Sequence, residues 1–184
     1  MATKTIHPGA TIEDLYKVEG KAEIVDGKLM LMSPTGDFPN QAAFNIAVSL
    51  REYQRRTGAG RAYTDNAGFL VDLPNRKSFS PDASFYTGKR TGMKFLEGAP
   101  VFAVEVWSES DYGPAAEKKM AAKRRDYFAA GTLVVWDVDL LGDDVVRVYR
   151  VAEPEHATLY RRGQQAEAEP ALPGWSMPVD ELFG

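Results

Sequence analysis

A strand–helix–strand passage between residues 101 and 138 constrains the fold of this chain most. Residues 101–107 and 132–138 are apolar runs rich in β-branched and aromatic side chains, which is typical of buried strands. Between them, residues 114–130 begin with proline and are followed by glycine, an arrangement that favours a helix. A strand, a crossover helix and a second strand place the two strands parallel in one sheet.

The rest of the chain adds hairpins and a second long helix. Residues 22–25 and 28–32 flank Asp26-Gly27, the strongest short hairpin signal in the sequence. A helix is predicted from about Asn40 to Thr57, ending at Gly58. Further strands are predicted at 61–64, at 68–71, around Asp82, at 144–150 and at 157–161. Together these elements predict an α/β or α+β fold, with a mixed sheet flanked by helices and an N-terminal β-hairpin.

The 184 residues suffice for one domain with a sizeable core, and no internal repeat or low-complexity linker divides them. We therefore expect a single domain over residues 1–184. Residues 1–14 are predicted to form a loose arm that contains a short helix near Thr11–Leu15. The last part of the chain, about 170–184, is a Pro-rich tail.

Composition excludes several kinds of site. The chain has no cysteine, which excludes disulfides, thiolate metal sites and a cysteine nucleophile. Its two histidines, His7 and His156, lie near the ends, which argues against a zinc site or a histidine triad. The net charge of −4 gives no overall attraction to nucleic acid, so such binding needs a local basic patch. No apolar stretch reaches membrane-spanning length and no signal-peptide core begins the chain, so we expect a cytoplasmic protein.

Two carboxylates are the strongest candidates for a site. Glu105 is the single charge in the predicted buried strand 101–107, and Asp82 follows Pro81. A lone buried carboxylate costs several kcal/mol unless a cation or a metal satisfies it. At about 3.3 Å per strand residue and about 1.5 Å per helical residue, Lys123 returns to the level of Glu105. Lys119 and Tyr127 lie one turn away on the same helix face.

Asp82, Glu105 and Lys123 together would suit phosphodiester hydrolysis. The two carboxylates and a backbone carbonyl, that of Val106, would hold magnesium, while the lysine orients a water or balances charge.

Each of these residues also has a structural interpretation. Pro-Asp is a common turn dipeptide, Glu105 and Lys123 form a plausible simple salt bridge, and the basic residues of the helix suit a solvated face. Glu23 and Asp26 are expected to be exposed turn residues, with Glu23 the alternative candidate for the rim of the site. Gln41 and Asn45 are expected to cap a helix or lie on the surface, and Tyr127 is expected to pack in the core with its hydroxyl hydrogen-bonded. Asp137 and Asp139 are expected to be solvated. Trp107 and Trp136 are expected to be core residues.

A series of short motifs has a recognisable order. The motifs are Glu23-Ile24-Val25-Asp26-Gly27-Lys28-Leu29, Met32-Ser33-Pro34, Pro81-Asp82, Gly98-Ala99-Pro100, Glu105-Val106-Trp107-Ser108, Lys123-Arg124-Arg125-Asp126-Tyr127, Ala130-Gly131 and Val135-Trp136-Asp137-Val138-Asp139. This order resembles the Uma-type family of putative restriction endonucleases, within the PD-(D/E)XK nuclease superfamily, over about residues 12–150.

The resemblance implies a restriction-endonuclease-like core and a DNA endonuclease that depends on magnesium, for which manganese can substitute. It also implies a bacterial homodimer without a nucleotide cofactor. Asp82 and Glu105 would be the acidic ligands. The superfamily lysine stands two residues after the second acid, where this chain has Trp107, and in this family it is placed on the following helix, as Lys123.

The accessory candidates are Glu23, Lys119, Tyr127 and Gln41. Gln41 lies near the start of the first long helix, where many family members carry a histidine.

A second function stays open at this point. The acidic balance and the lack of a strong basic stripe also suit a non-catalytic protein on a nuclease scaffold, serving as a nucleic-acid-binding or oligomeric interaction module.

Overall fold

A computed structural model of the protein describes residues 3–184, with side chains from residue 9 onward. Its elements in chain order are β1 (Thr3–Pro8), α1 (Ile12–Tyr16), β2 (Ala22–Val25), β3 (Lys28–Met32), α2 (Asp37–Thr57), β4 (Arg61–Tyr63), β5 (Phe69–Leu70), β6 (Ser78–Phe79), β7 (Ala83–Tyr86), β8 (Leu96–Glu97), β9 (Phe102–Val106), α3 (Pro114–Ala129), β10 (Val134–Val138), β11 (Val146–Arg150), β12 (Glu153–Tyr160), β13 (Gln165–Glu167), β14 (Ser176–Pro178) and a final 3₁₀-helix (Val179–Phe183).

A six-stranded mixed sheet in the order β12-β11-β10-β9-β7-β4 forms the centre of the fold. Strands β9 and β10 are parallel and are joined by α3, whereas their outer neighbours β7 and β11 pair antiparallel. The predicted crossover is therefore confirmed, as is the mixed α/β architecture.

Side-chain alternation gives the central sheet two different faces. Phe102, Val104 and Val106 of β9 belong to the main core, together with the buried side of α2. Ala103 of β9 belongs to a second cluster that includes Tyr127 of α3. Glu105 has the same parity as Ala103, so it projects toward α3. The crossover helix therefore covers the face that carries the buried charge.

The N-terminal hairpin β2–β3 has the predicted bounds. Asp26 (φ +49°) and Gly27 (φ +68°) both adopt left-handed backbone conformations, as a tight two-residue hairpin turn requires. Strand β1 pairs antiparallel with β3, so the loose arm predicted over residues 1–14 is wrong for residues 3–8. Residues 1–2 of that arm lie outside the described residues. The short helix within it is confirmed as α1.

Helix α2 begins at Asp37, three residues before the predicted start, with the backbone of Gly36 in an extended conformation at its N-cap. Its end at Gly58 is as predicted, because Gly58 adopts the left-handed conformation (φ +66°) that terminates a helix. Over residues 3–184 no helix combines the length and the apolar character needed to span a bilayer.

The C-terminal tail packs into the main core. Strands β13 and β14 pair antiparallel, and the buried ring of Trp175 lies 5.1 Å from Trp136 and 5.6 Å from Phe102 between ring centroids. Leu172 and Leu182 are buried in the same cluster. The tail thus closes the α2 side of the central sheet, opposite the face that carries Glu105.

Trp175→Ala is expected to lower the free energy of unfolding by about 3–5 kcal/mol, because it leaves a large cavity among aromatic neighbours. Urea denaturation followed by circular dichroism measures the change. The matched control is Met93→Ala, which removes a fully exposed side chain and should change stability by less than about 0.5 kcal/mol. Equal stability of the two variants would show that the tail does not contribute to the core.

Candidate active site

Two carboxylates meet at the junction of β7 and β9. The backbone N–H of Asp82 donates to the Val104 carbonyl (3.0 Å), which extends the antiparallel ladder by one residue. Asp82 therefore lies opposite Glu105, on the same face of the sheet. Both residues are buried, and the Val106 N–H donates to Asp82 Oδ2 at 2.8 Å. This arrangement agrees with the predicted placement of the two acids on neighbouring strands.

Helix α3 brings a lysine and a tyrosine to Glu105. Lys123 Nζ lies 2.8 Å from Glu105 Oε1, as the count of residues along the crossover predicts. The Tyr127 hydroxyl donates to the same oxygen at 2.7 Å. One carboxylate oxygen is therefore held by two donors, which fixes the orientation of the carboxylate in its cavity.

The N-terminal hairpin closes the site from the other side. Lys21, Glu23 and Val25 alternate toward the central sheet, whereas Ile24 packs with the α1 side of the hairpin. Glu23 Oε1 lies 2.9 Å from Lys123 Nζ and accepts a hydrogen bond from the Ser80 N–H (2.8 Å). The expectation that Glu23 is an exposed turn residue is wrong, because its partners draw it into the interior.

Two basic residues of this cluster were not among the predicted site residues. Lys21 Nζ lies 2.7 Å from Asp82 Oδ1 and 2.6 Å from Asp65 Oδ1. Arg76 contacts Glu23 Oε2 through Nη1 (2.6 Å) and Asp126 Oδ2 through Nε (2.8 Å). The two-residue spacing between Lys21 and Glu23 was a usable signal for a shared strand face. Arg76 sits in a short loop segment that carries no comparable pattern.

The site borders a cavity of about 260 Å³. Its walls are the hairpin, the junction of β7 and β9, and one side of α3. The lining residues are Glu23, Val25, Met30, Met32, Arg76, Asp82, Glu105, Val106, Asp111, Lys119, Met120, Ala122 and Lys123. The cavity combines charged groups at its base with a wall of three methionine side chains.

Burial and neighbouring charges shift the pKa values of the two glutamates in opposite directions. Burial raises the pKa of Glu105 from 4.5 to about 7, because Asp82 and Glu23 reinforce it and Lys123 only partly opposes it. Burial also acts to raise the pKa of Glu23, but Lys123 and Arg76 outweigh it and lower the value to about 2. The same contacts keep the pKa of Lys123 above its ordinary value despite burial.

The remaining candidates divide between the cavity and the surface. Lys119 lines the cavity, whereas Gln41 lies on the exposed side of α2 and donates to Asn45 Oδ1 (3.0 Å). The solvation predicted for Asp137 and Asp139 is wrong, because both are buried. Arg124 binds Asp137, and the Tyr112 hydroxyl donates to Asp139 at 2.7 Å. The predicted roles of Trp107 and Trp136 as core residues agree with their burial.

The residues present fit a hard divalent cation. Carboxylate oxygens are the ligands that Mg²⁺ prefers, and Glu105 Oε2 makes no hydrogen bond within residues 9–184. In the part of the chain that the structure describes, no group of three or more His, Cys, Asp or Glu side chains is placed to hold a metal by itself. Because Mg²⁺ often takes only one or two protein carboxylates and completes its shell with water and substrate phosphate, a pair such as Asp82 and Glu105 would be enough to hold it. A ligand role for the Val106 carbonyl stays a prediction.

A family model and a solved structure both match this chain, and both are described as putative nucleases. The family described as "Uma2: Putative restriction endonuclease" matches residues 11–180. A crystal structure of a putative nuclease belonging to DUF820, from Anabaena variabilis ATCC 29413, superposes with a TM-score of 0.73. That match has 15% sequence identity and covers 95% of this chain and 97% of the other, so it shows a shared fold. No curated protein matches the chain.

Glu23→Gln is expected to reduce stability at neutral pH by about 3 kcal/mol, because Glu23 has a depressed pKa in the folded protein. A depressed pKa stabilises the fold above the unfolded value of 4.5, and this stabilisation is lost as pH falls through about 2. The difference between wild type and Glu23→Gln should therefore shrink between pH 4.5 and pH 2. Urea denaturation across this range measures it.

The control for this experiment is Glu153→Gln, which removes an exposed carboxylate on β12. Its unfolding should follow the wild-type pH dependence. A difference between wild type and Glu23→Gln that stays constant down to pH 2 would contradict the depressed pKa.

Proposed function

The chain belongs to the Uma2 family of putative restriction endonucleases, and on that premise we propose that it is a metal-dependent DNA endonuclease that hydrolyses phosphodiester bonds. The observation that carries the proposal is the convergence of Asp82, Glu105 and Lys123 in one cavity. The acids come from neighbouring strands and the lysine from the crossover helix. We expect a bacterial, cytoplasmic protein that needs no nucleotide cofactor.

Asp82 and Glu105 would hold the cation, Mg²⁺ or Mn²⁺. The bound ion would supply Lewis acidity, lowering the pKa of a coordinated water and neutralising charge on the phosphate. The protein would contribute the placement of its ligands. The Val106 N–H fixes one oxygen of Asp82, and the Tyr127 hydroxyl fixes one oxygen of Glu105.

Lys123 would act as the fixed positive charge of the site. Its contacts with Glu105 and Glu23 hold the ammonium group at the base of the cavity, where its raised pKa keeps it protonated. A fixed charge beside the scissile phosphate stabilises the additional negative charge that develops in the transition state. Lys119, exposed at the cavity wall, would attract the substrate phosphate without contacting the acids.

The alternative is a non-catalytic protein on the same scaffold. Its support is that Asp82 and Glu105 both have lysine partners within the chain, so a metal is not needed to satisfy their charges. Such a protein would bind nucleic acid or another protein through this surface and would leave phosphodiester bonds intact. Cleavage and metal-dependent melting separate the two functions.

The wild type should convert supercoiled plasmid DNA to nicked or linear forms in millimolar Mg²⁺ or Mn²⁺ and should be inactive in EDTA. Asp82→Ala, Glu105→Gln and Lys123→Met should each lose at least about a hundredfold in rate, because the two acids would hold the cation and the lysine would stabilise charge on the reacting phosphate. Lys77→Gln is the matched control, since it removes one exposed lysine charge. Gel electrophoresis of time courses gives the rates.

Thermal melting shows whether the variants are folded and whether the metal binds. Mg²⁺ should raise the melting temperature of the wild type by mass action and should have less effect on Glu105→Gln. The non-catalytic alternative would be favoured if the wild type binds DNA without cutting it and if neither Mg²⁺ nor Mn²⁺ changes its melting temperature.

We also propose a homodimer, because cutting both strands of a duplex is most simply done by two sites related by a two-fold axis. Helix α2 carries the exposed apolar side chains Phe44 (56% exposed) and Val48 (43% exposed) one turn apart. Light scattering should give twice the mass of the 20.3 kDa chain. Phe44→Lys should shift the mass toward the monomer, while Met93→Lys at another exposed position should not. A wild type that stays monomeric at micromolar and higher concentrations would remove this proposal.

A further inference from the structure

Lys21 places a positive charge on one of the two carboxylates proposed to hold the metal. Its side chain is only 8% exposed, and Nζ lies 2.7 Å from Asp82 Oδ1. Burial acts to lower the pKa of Lys21, but Asp82, Glu105 and Asp65 outweigh it and raise the pKa above its ordinary value. A protonated ammonium group therefore occupies Asp82 when the cavity holds no other cation.

Asp65 is a second partner for the same ammonium group. Asp65 Oδ1 lies 2.6 Å from Lys21 Nζ and also accepts the Asn66 N–H at 2.8 Å. Asp65 follows β4 and its side chain is 30% exposed, whereas the Asp82 side chain is 4% exposed. The lysine thus bridges a buried carboxylate at the cavity and a more solvated carboxylate outside the cavity lining.

We propose that Lys21 competes with the divalent cation for Asp82 and releases this carboxylate by shifting its ammonium group toward Asp65. This inference rests on the proposed metal-dependent function. It assigns to Lys21 the role of a positioning residue that keeps Asp82 oriented in the metal-free protein and sets the affinity for metal.

Electrostatics requires competition at so short a range. Asp82 Oδ2 already accepts the Val106 N–H, and Lys21 lies on Oδ1, so an incoming cation meets a carboxylate with a charged partner. Two cations that share one carboxylate repel each other, and partial burial weakens the screening by water. Removing the Lys21 charge should therefore strengthen metal binding.

Asp65 lowers the cost of releasing Asp82. An ammonium group that leaves a buried carboxylate without another partner keeps an uncompensated charge in the interior, which is unfavourable. Because Asp65 already contacts Lys21, the lysine retains a partner as it leaves Asp82. Removing the Asp65 charge should therefore hold Lys21 more firmly on Asp82 and weaken metal binding. The two variants are expected to act in opposite directions.

A purely structural salt bridge gives a different pattern. If Lys21 only stabilised the fold, both Lys21→Met and Asp65→Asn would lower the melting temperature, and neither would tighten metal binding. Metal affinity measured without substrate therefore separates the two roles, and it does not depend on catalytic activity.

The experiment is isothermal titration of the full chain with Mn²⁺ in the absence of DNA. Lys21→Met should bind at least tenfold more tightly than wild type, and Asp65→Asn should bind several-fold more weakly. Lys21→Arg keeps the charge and should bind no more tightly than wild type. Lys77→Met removes a lysine charge at an exposed ion pair and should leave the affinity unchanged.

Melting curves with and without Mn²⁺ accompany the titrations. Lys21→Met should melt lower than wild type without metal and should gain more from Mn²⁺. If Lys21→Met does not fold, Asp65→Asn decides alone, since unchanged or tighter binding by that variant overturns the inference. If the wild type binds Mn²⁺ and Lys21→Met binds it no more tightly, the inference is also overturned, while the proposed function is unaffected. Absence of Mn²⁺ binding in the wild type and in every variant overturns both the inference and the metal dependence.

Discussion

The contact between Glu105 and Lys123 is the interaction on which the geometry of the site depends. It joins the buried strand β9 to the crossover helix α3 across one face of the central sheet. Of the residues of α3, only Tyr127 is fully buried, and its ring stacks on Phe79 with 4.0 Å between ring centroids. Polar contacts join the rest of this face of α3 to the sheet and the hairpin. They run from Lys123 to Glu105 and Glu23, from Arg124 to Asp137, from Asp126 to Arg76 and from Tyr127 to Glu105.

Such a buried polar network is an inefficient way to stabilise a fold. Well-packed apolar side chains of similar volume are often as stable as a buried ion pair, or more stable. The raised pKa of Glu105 shows that its partners compensate burial only in part, whereas Glu23 is fully compensated by Lys123 and Arg76. The carboxylate whose burial is only partly compensated is that of Glu105, which also has a free oxygen at the cavity. A cation bound at this point would offset the imbalance, which accords with the proposed metal site.

The sequence predicted the elements that position the site better than it predicted the site itself. Hydrophobic runs and helix signals located β9, α3 and β10, and residue counting placed Lys123 beside Glu105 because the rise per residue of strands and helices is constant. Lys21 and Asp82 are 61 positions apart along the chain. Their contact depends on how the N-terminal hairpin docks on the central sheet, which no local pattern encodes. The burial of Glu23 has the same cause.

Trp107 occupies the position on β9 where the resemblance would place the lysine of the site. The resemblance places the superfamily lysine two residues after the second acid, on the same strand face as Glu105, and in this chain the buried ring of Trp107 occupies that position. The Trp107 ring contacts the Tyr112 ring edge-on, with 5.3 Å between ring centroids. The Arg147 guanidinium lies over the Trp107 ring, 4.8 Å from its centroid. The lysine at Glu105 comes instead from helix α3, and the lysine at Asp82 comes from the hairpin. Because both lysines reach their acids from other elements, hairpin docking and helix docking together set the charge balance in which a metal would bind.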